Sequence, residues 1–205
     1  LGDLLRTSGG QIFDIAVSPK TGFIYIVYQS SDFRSDLLNQ IALRYSQDQG
    51  LTWSQPFMVN RTPQNNPNPQ AFTPSISINK KGHIAITYSD FRNDDKSDPT
   101  QTLTDVWLDL YKEKKHHGGL KFIQELRLTK KSYIVQNGPT TTQGIMTNGD
   151  YAEIVANDEK FYAIYTHSFN GPFTEPIVLL EEGTTLLLLD QNRRTAPFVT
   201  IIEKD

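Results

Sequence analysis

Short apolar runs separated by polar turns dominate the chain. Phe23-Ile24-Tyr25-Ile26-Val27-Tyr28, Ile84-Ala85-Ile86-Thr87-Tyr88 and Phe161-Tyr162-Ala163-Ile164-Tyr165 are rich in β-branched and aromatic residues, which marks strands rather than helices. Each run follows a turn signal, Pro19-Lys20-Thr21-Gly22, Lys80-Lys81-Gly82 or Asp158-Glu159-Lys160, and before each turn lies another extended segment, at 14–18, 74–79 or 151–157. The pattern predicts three β-hairpins. The second strand of each is apolar at almost every position, which implies burial on both faces, as in a small sheet packed between two others.

The hairpins repeat one unit. Setting Ile15-Ala16-Val17-Ser18 against Ile76-Ser77-Ile78-Asn79 gives an interval of about 60 residues, and setting Ile76 against Ile154 gives about 80, spacings that suit a propeller blade with long loops. Ser31-Asp32-Phe33-Arg34-Ser35-Asp36 follows the first hairpin and Ser89-Asp90-Phe91-Arg92-Asn93-Asp94 the second. Each leads into a third strand, Ile41 to Tyr45 or Val106 to Leu110, and then a fourth, Ser54 to Val59 or Lys121 to Leu128. The third copy reads His167-Ser168-Phe169-Asn170 and has diverged. Residues 1–205 are thus expected to form one partial propeller, with blades at 12–59, 72–128 and 150–190 and a tail at 191–205. Towards the C-terminus, Ile177 to Leu180 and Thr185 to Leu189 form an expected hairpin around Glu181-Glu182-Gly183. A last strand, Phe198 to Ile202, is expected to join another blade as a clasp.

The most specific motif is Ser46-Gln47-Asp48-Gln49-Gly50-Leu51-Thr52-Trp53. Ser46, Asp48, Gly50, Thr52 and Trp53 occupy every defined position of the Asp-box pattern Ser-x-Asp-x-Gly-x-Thr-Trp. The chemistry of that pattern is structural: the Asp48 carboxylate accepts bonds within its own turn, Gly50 takes positive φ, and Trp53 packs where the next strand starts. With Asp14-Ile15-Ala16-Val17, Phe72-Thr73-Pro74, Tyr88 to Asp94 and Gly149-Asp150-Tyr151, the chain resembles the C-terminal half of bacterial sialidase-like proteins with Asp-box (BNR) repeats. The resemblance implies an all-β, sialidase-like β-propeller, about three four-stranded antiparallel blades of a six-bladed ring. It also implies a glycan or glycoconjugate partner and an extracellular or periplasmic location. Three functions stay open: a carbohydrate-interacting propeller, an exo-α-sialidase acting on terminal sialic acids, and a protein-interaction module.

Antiparallel order places the Asp-box turn at one end of such a fold and the loops 31–36, 60–72, 89–99, 128–150 and 167–175 at the other. The second end carries Asp32, Arg34, Asp90, Arg92, Asp94, Asp95, Asp150, Tyr151 and His167, a mix suited to a carboxylate-binding or sugar-binding pocket. Arg34, Asp90, Arg92, Asp150 and Tyr151 are the candidate ligand contacts. Arg34 and Arg92 recur at equivalent places, which equally suits a repeated Asp-to-Arg loop brace. The resemblance implies a nucleophilic role for Tyr151, since sialidases place a glutamate-assisted tyrosine near the start of an inner strand. A tyrosine hydroxyl needs such a base, and no partner glutamate is assignable from sequence. The clustered aspartates read as turn formers, His116-His117 as a solvated turn, and no metal site or cofactor is expected.

Composition narrows the partners. The chain of 205 residues is 37% hydrophobic and 21% charged with a net charge of −3, enough for a folded core but without the basic patch of a nucleic-acid binder. It has no cysteine, so neither a disulfide nor a thiol nucleophile is available. No apolar run approaches the roughly 20 residues of a membrane span. Propellers close with four or more blades, so about three blades beginning at Leu1 require either missing upstream blades or a second chain to cover their open faces.

Overall fold

The computed structural model describes residues 12–95, 97–98, 101–114, 119–138, 152–168, 179–180, 184–186 and 195–203. In these the secondary structure is β, apart from one 3₁₀ turn at Val135–Asn137. The first sheet contains β1 (Phe13–Val17), β2 (Ile24–Ser30), β3 (Gln40–Ser46) and β4 (Phe57–Met58), in that order. The second contains β5 (Ala71–Ile78), β6 (His83–Asp90), β7 (Leu103–Glu113) and β8 (Leu120–Arg127), with the short β9 (Tyr133–Ile134) also pairing with β7. A third sheet is built from β10 (Glu153–Ala156), β11 (Lys160–Ser168), β12 (Leu179–Leu180), β13 (Thr184–Leu186) and β14 (Thr195–Glu203). All pairings are antiparallel.

The repeat governs packing. β5 lies against both β1 and β10, so the first strands of the three sheets run side by side and the sheets stack face to face. One core forms where Tyr25, Val27, Ile41 and Leu43 meet Ile76, Ile78, Ile84, Ile86 and Tyr88. The other forms where Val106, Leu108 and Leu110 meet Ile154, Phe161, Ala163 and Tyr165. The second sheet is therefore apolar on both faces, which explains the near-continuous apolar reading of β6.

Three turns place a glycine at positive φ, at Gly22, Gly50 and Gly82. In the Asp-box, Gln49 (φ 61°) and Gly50 (φ 91°) are both left-handed, the tight reversal that positive φ permits. Asp48 closes the turn by accepting bonds from the Thr52 amide at 2.8 Å and the Thr52 hydroxyl at 2.5 Å. It also accepts the Ser46 hydroxyl at 2.8 Å. The Thr52 and Ser46 bonds hold the Asp48 carboxyl down at about 2, as expected of a carboxylate that accepts several donors. Trp53 Nε1 donates to the Gly50 carbonyl. Gly82, at φ 75°, turns β5 into β6 where an added Cβ would meet Glu113 Oε2 at 2.8 Å and Lys20 Cδ at 2.9 Å.

Two expectations need correction. The fourth strand of the first sheet is only Phe57–Met58, not Ser54 to Val59. Pro56 has no amide to donate, and Ser54 uses its backbone and hydroxyl on Tyr45 instead. The last strand does not join another blade. β14 pairs with β11 at nine positions, from Lys160↔Glu203 to Ser168↔Thr195, and displaces the β12–β13 hairpin to the outer edge, giving the order β10-β11-β14-β13-β12. Nine paired residues satisfy far more backbone than the three that β13 could offer.

Candidate functional site

The loops between the second and third strands of the first two sheets and the 59–70 connection converge on one end. β2 ends in the segment that carries Arg34, whose Nε and Nη2 donate to Asp36 at 2.8 and 2.5 Å. Its Nη1 donates to the Gln64 carbonyl and Oε1 at 3.0 and 2.9 Å. Gln64 in turn donates to Gln40, which also accepts from Asn60, and Asn60 donates to Thr62. Thr62 donates to Asp90 at 2.6 Å, where the network reaches the second sheet. Asn66 donates to the Arg92 carbonyl at 2.6 Å. Arg34 and Arg92 are thus the two ends of one continuous chain of hydrogen bonds.

Arg92 is held on every side. Its Nε donates to Asp90 at 2.6 Å and its Nη1 and Nη2 form a fork to Glu125, both at 2.9 Å. Its guanidinium also lies 3.7 Å from the Trp107 ring centroid. Such a bidentate, stacked geometry suits arginine and not lysine. Tyr88 donates to Glu125 at 2.8 Å and accepts from Arg92 and the Arg61 amide. Here the chain does contain a tyrosine paired with a glutamate, but Tyr88 is buried. Burial, then Asp109 and Glu125, push its hydroxyl well above its ordinary range, so the proton stays on oxygen and the pair acts as a brace.

Beneath lies Asp109, on β7 and wholly buried, accepting the Tyr111 hydroxyl at 3.2 Å. Burial first and Glu125 second push its carboxyl up to about 7, because a low-dielectric site beside a like charge favours the neutral form. A groove of about 500 Å³ runs along Phe57 to Thr62 and Tyr111, with the Arg61 guanidinium 3.9 Å above the Phe122 ring. A second hub, buried Asp105, accepts from Asn93, Arg127, Thr129 and Ser132, tying the 91–95 loop to the 128–132 segment. His167 packs on Tyr133 with ring centroids 4.6 Å apart.

The opposite end is braced as well. Glu113 accepts from Ser18 and Thr21 at 2.9 Å each and from Tyr25 at 3.0 Å, which pins the first hairpin turn to the end of β7.

No family model and no curated protein matches this chain. Among solved structures, a phage phi92 endosialidase is similar over 93% of this chain and 27% of that one, at 9% identity and a TM-score of 0.49. A levansucrase variant from B. megaterium is similar over 78% and 42%, at 11% identity and a TM-score of 0.45. A protein of unknown function from Dyadobacter fermentans DSM 18053 is similar over 93% and 52%, at 14% identity and a TM-score of 0.31. The chain spans between about a quarter and a half of these proteins, and likenesses this distant assign no residue a role.

Of the sequence-predicted candidates, Arg34, Asp90 and Arg92 come together in one network, with Asp90 and Arg92 beneath and Arg34 at the rim. Asp150 and Tyr151 lie outside the described residues, as do His116 and His117. Asp94 accepts the Leu103 amide and Asp95 caps Ser97. Among the described residues no three acidic or histidine side chains are grouped to hold a metal ion, and no helix is long and apolar enough to cross a membrane. Sequence reasoning missed Glu125, Asp109, Asp105 and Glu113. Their signal was a carboxylate on a strand that also supplies the core, Asp109 between Leu108 and Leu110 being the plainest case; such a group must find partners.

Proposed function

We propose that the chain is the carbohydrate-interacting part of a sialidase-like β-propeller, binding glycan at the loop end that carries Arg34, and that it acts outside the cytoplasm, in an extracellular or periplasmic setting. The observation that carries this reading is the rigid polar surface made by the Arg34–Gln64–Thr62–Asp90–Arg92 network. Pre-organised polar groups lose little entropy on meeting sugar hydroxyls, and Arg34, Asp36 and Gln64 stand at its outer rim. In this reading Arg34 contacts ligand directly with Asp150 and Tyr151, while Asp90 and Arg92 hold the surface from beneath. The exo-α-sialidase reading rests on the resemblance of Gly149-Asp150-Tyr151 to the nucleophile segment of that family.

A glycan array and a fluorogenic sialoside separate the two. Array binding that falls at least about tenfold in Arg34→Ala, with no sialoside turnover, supports the proposal. Turnover that disappears in Tyr151→Phe moves the assignment to a sialidase. An array without binding, together with no turnover, contradicts both.

A further inference from the structure

Among the described residues, both outer faces of the three-sheet stack carry exposed apolar side chains. On the first sheet, Phe13, Ile15 and Val17 point away from the second sheet and are between 53% and 66% exposed. Their cross-strand partners on the same face are Tyr28, Ile26 and Ile24. On the third sheet, Val155, Ile164 and Ile201 are between 37% and 42% exposed, with Tyr162 and Val199 paired beside them. Contiguous apolar surface of this kind marks an interface.

The repeat says what covers the first face. Ile15, Val17, Ile24, Ile26 and Tyr28 correspond in sequence to Ile76, Ile78, Ile84, Ile86 and Tyr88. In the second sheet those residues are buried against the inward face of the first sheet. The open face is therefore a copy of one that receives the opposite face of a neighbouring sheet. Among the described residues, the third sheet carries the one face of that receiving type left uncovered.

A hydrogen-bond relay along the first strands has the same polarity. The Ile76 amide donates to Asp14 Oδ2 at 2.9 Å, across from the second sheet to the first. The Ile154 amide donates to Ser75 Oγ at 3.1 Å, across from the third to the second. Asp14, Ser75 and Glu153 are equivalent positions, each one residue before the aligned isoleucine. At the open ends the relay is unfinished: the Ile15 amide turns back to its own Asp14 at 2.7 Å, and Glu153 is exposed.

We propose that two copies of this chain associate by these faces, the third sheet of each seating on the first sheet of the other, to close a six-sheet ring about a two-fold axis. Each junction repeats the two inside the chain. Ile164 and Val155 cover Ile15, Ile26 and Val17, and Glu153 of one copy accepts the Ile15 amide of the other. Because the two faces differ, each contact is head to tail, and it closes after two copies when three sheets span half a turn.

The test uses the full chain in sedimentation at micromolar concentration, with circular dichroism to confirm that each variant keeps its β fold. The expected wild-type mass is twice the 23.3 kDa of one chain. Ile15→Asp and Ile164→Asp, one on each face, should each sediment as a monomer. Mixing the two variants should restore a dimer, because one junction then joins two intact faces. Glu153→Ala should weaken association at least about tenfold without changing the fold. A monomeric wild type, as expected if the covering sheets belong to another part of a longer polypeptide, overturns the proposal. So do open oligomers of higher mass, and so does a dimer that survives in Ile164→Asp, which would mean that like faces pair.

Discussion

At the scale of single residues, the molecule places carboxylates where each must be matched by donors. Burial pushes both Asp90 and Asp109 above the ordinary carboxylate range, Asp109 up to about 7. An acid whose pKa is higher folded than unfolded holds its proton more tightly in the native state, so stability declines as pH climbs from the ordinary 3.8 to about 7. Below the unfolded value there is no penalty, and above about 7 it is complete. Asp109→Asn keeps the shape and removes the titration. Urea midpoints of the variant should fall less across this window than those of the wild type, a difference of roughly 2–4 kcal/mol at the alkaline end. Parallel pH curves for the two proteins would contradict the assignment. Arg34 and Arg92 were legible as a pair because they recur in the repeat, and so was the alternative that they brace loops. Glu125 was not, because it reaches Arg92 from a strand 33 residues away and its own segment reads only as the edge of a sheet. The role of the Asp-box residues was legible because every bond of that turn is local.

At the scale of elements, the hairpins β1–β2, β5–β6 and β10–β11 fall where alternating apolar runs and turn residues place them, since hairpin pairing is decided within a short stretch. The order of the third sheet was not legible. β14 reaches β11 across more than 25 residues of sequence, and a local pattern shows that a strand exists without showing what it pairs with. The turn at Gly82 shows how an element can answer to distant contacts. Its φ of 75° and the closeness of Glu113 and Lys20 mean that a methyl group there meets both backbone strain and the clamp on the first sheet. Gly82→Ala should lower stability by about 1–2 kcal/mol from the left-handed backbone alone, read as a lower thermal midpoint. Gly22→Ala is the control: its φ is 73° but nothing lies within 4 Å of an added Cβ, so any loss beyond the control reports the crowding at Glu113 and Lys20. Equal losses in the two would remove those contacts from the account.

At the scale of the whole molecule, three antiparallel sheets stack with their first strands together. That stacking sends the 31–39, 59–70 and 91–95 segments to one end and the hairpin turns near Lys20 and Lys81 to the other. The glycan-binding proposal needs the first end to be continuous, and the ring proposal needs the outer faces to be parallel repeats of the inner ones. Because the chain has no cysteine, spin labels can be introduced at chosen positions. Lys20 Nζ donates to the Lys81 carbonyl at 3.4 Å, and Asn66, beside Asn65, donates to the Arg92 carbonyl. Double electron-electron resonance should therefore find short distances for Lys20→Cys with Lys81→Cys and for Asn65→Cys with Asp95→Cys. The pair Lys20→Cys with Asn65→Cys should be separated by at least about 20 Å, the length of a seven-residue strand. A Lys20-to-Asn65 distance shorter than either of the other two would contradict the stacked-sheet arrangement and both proposals built on it.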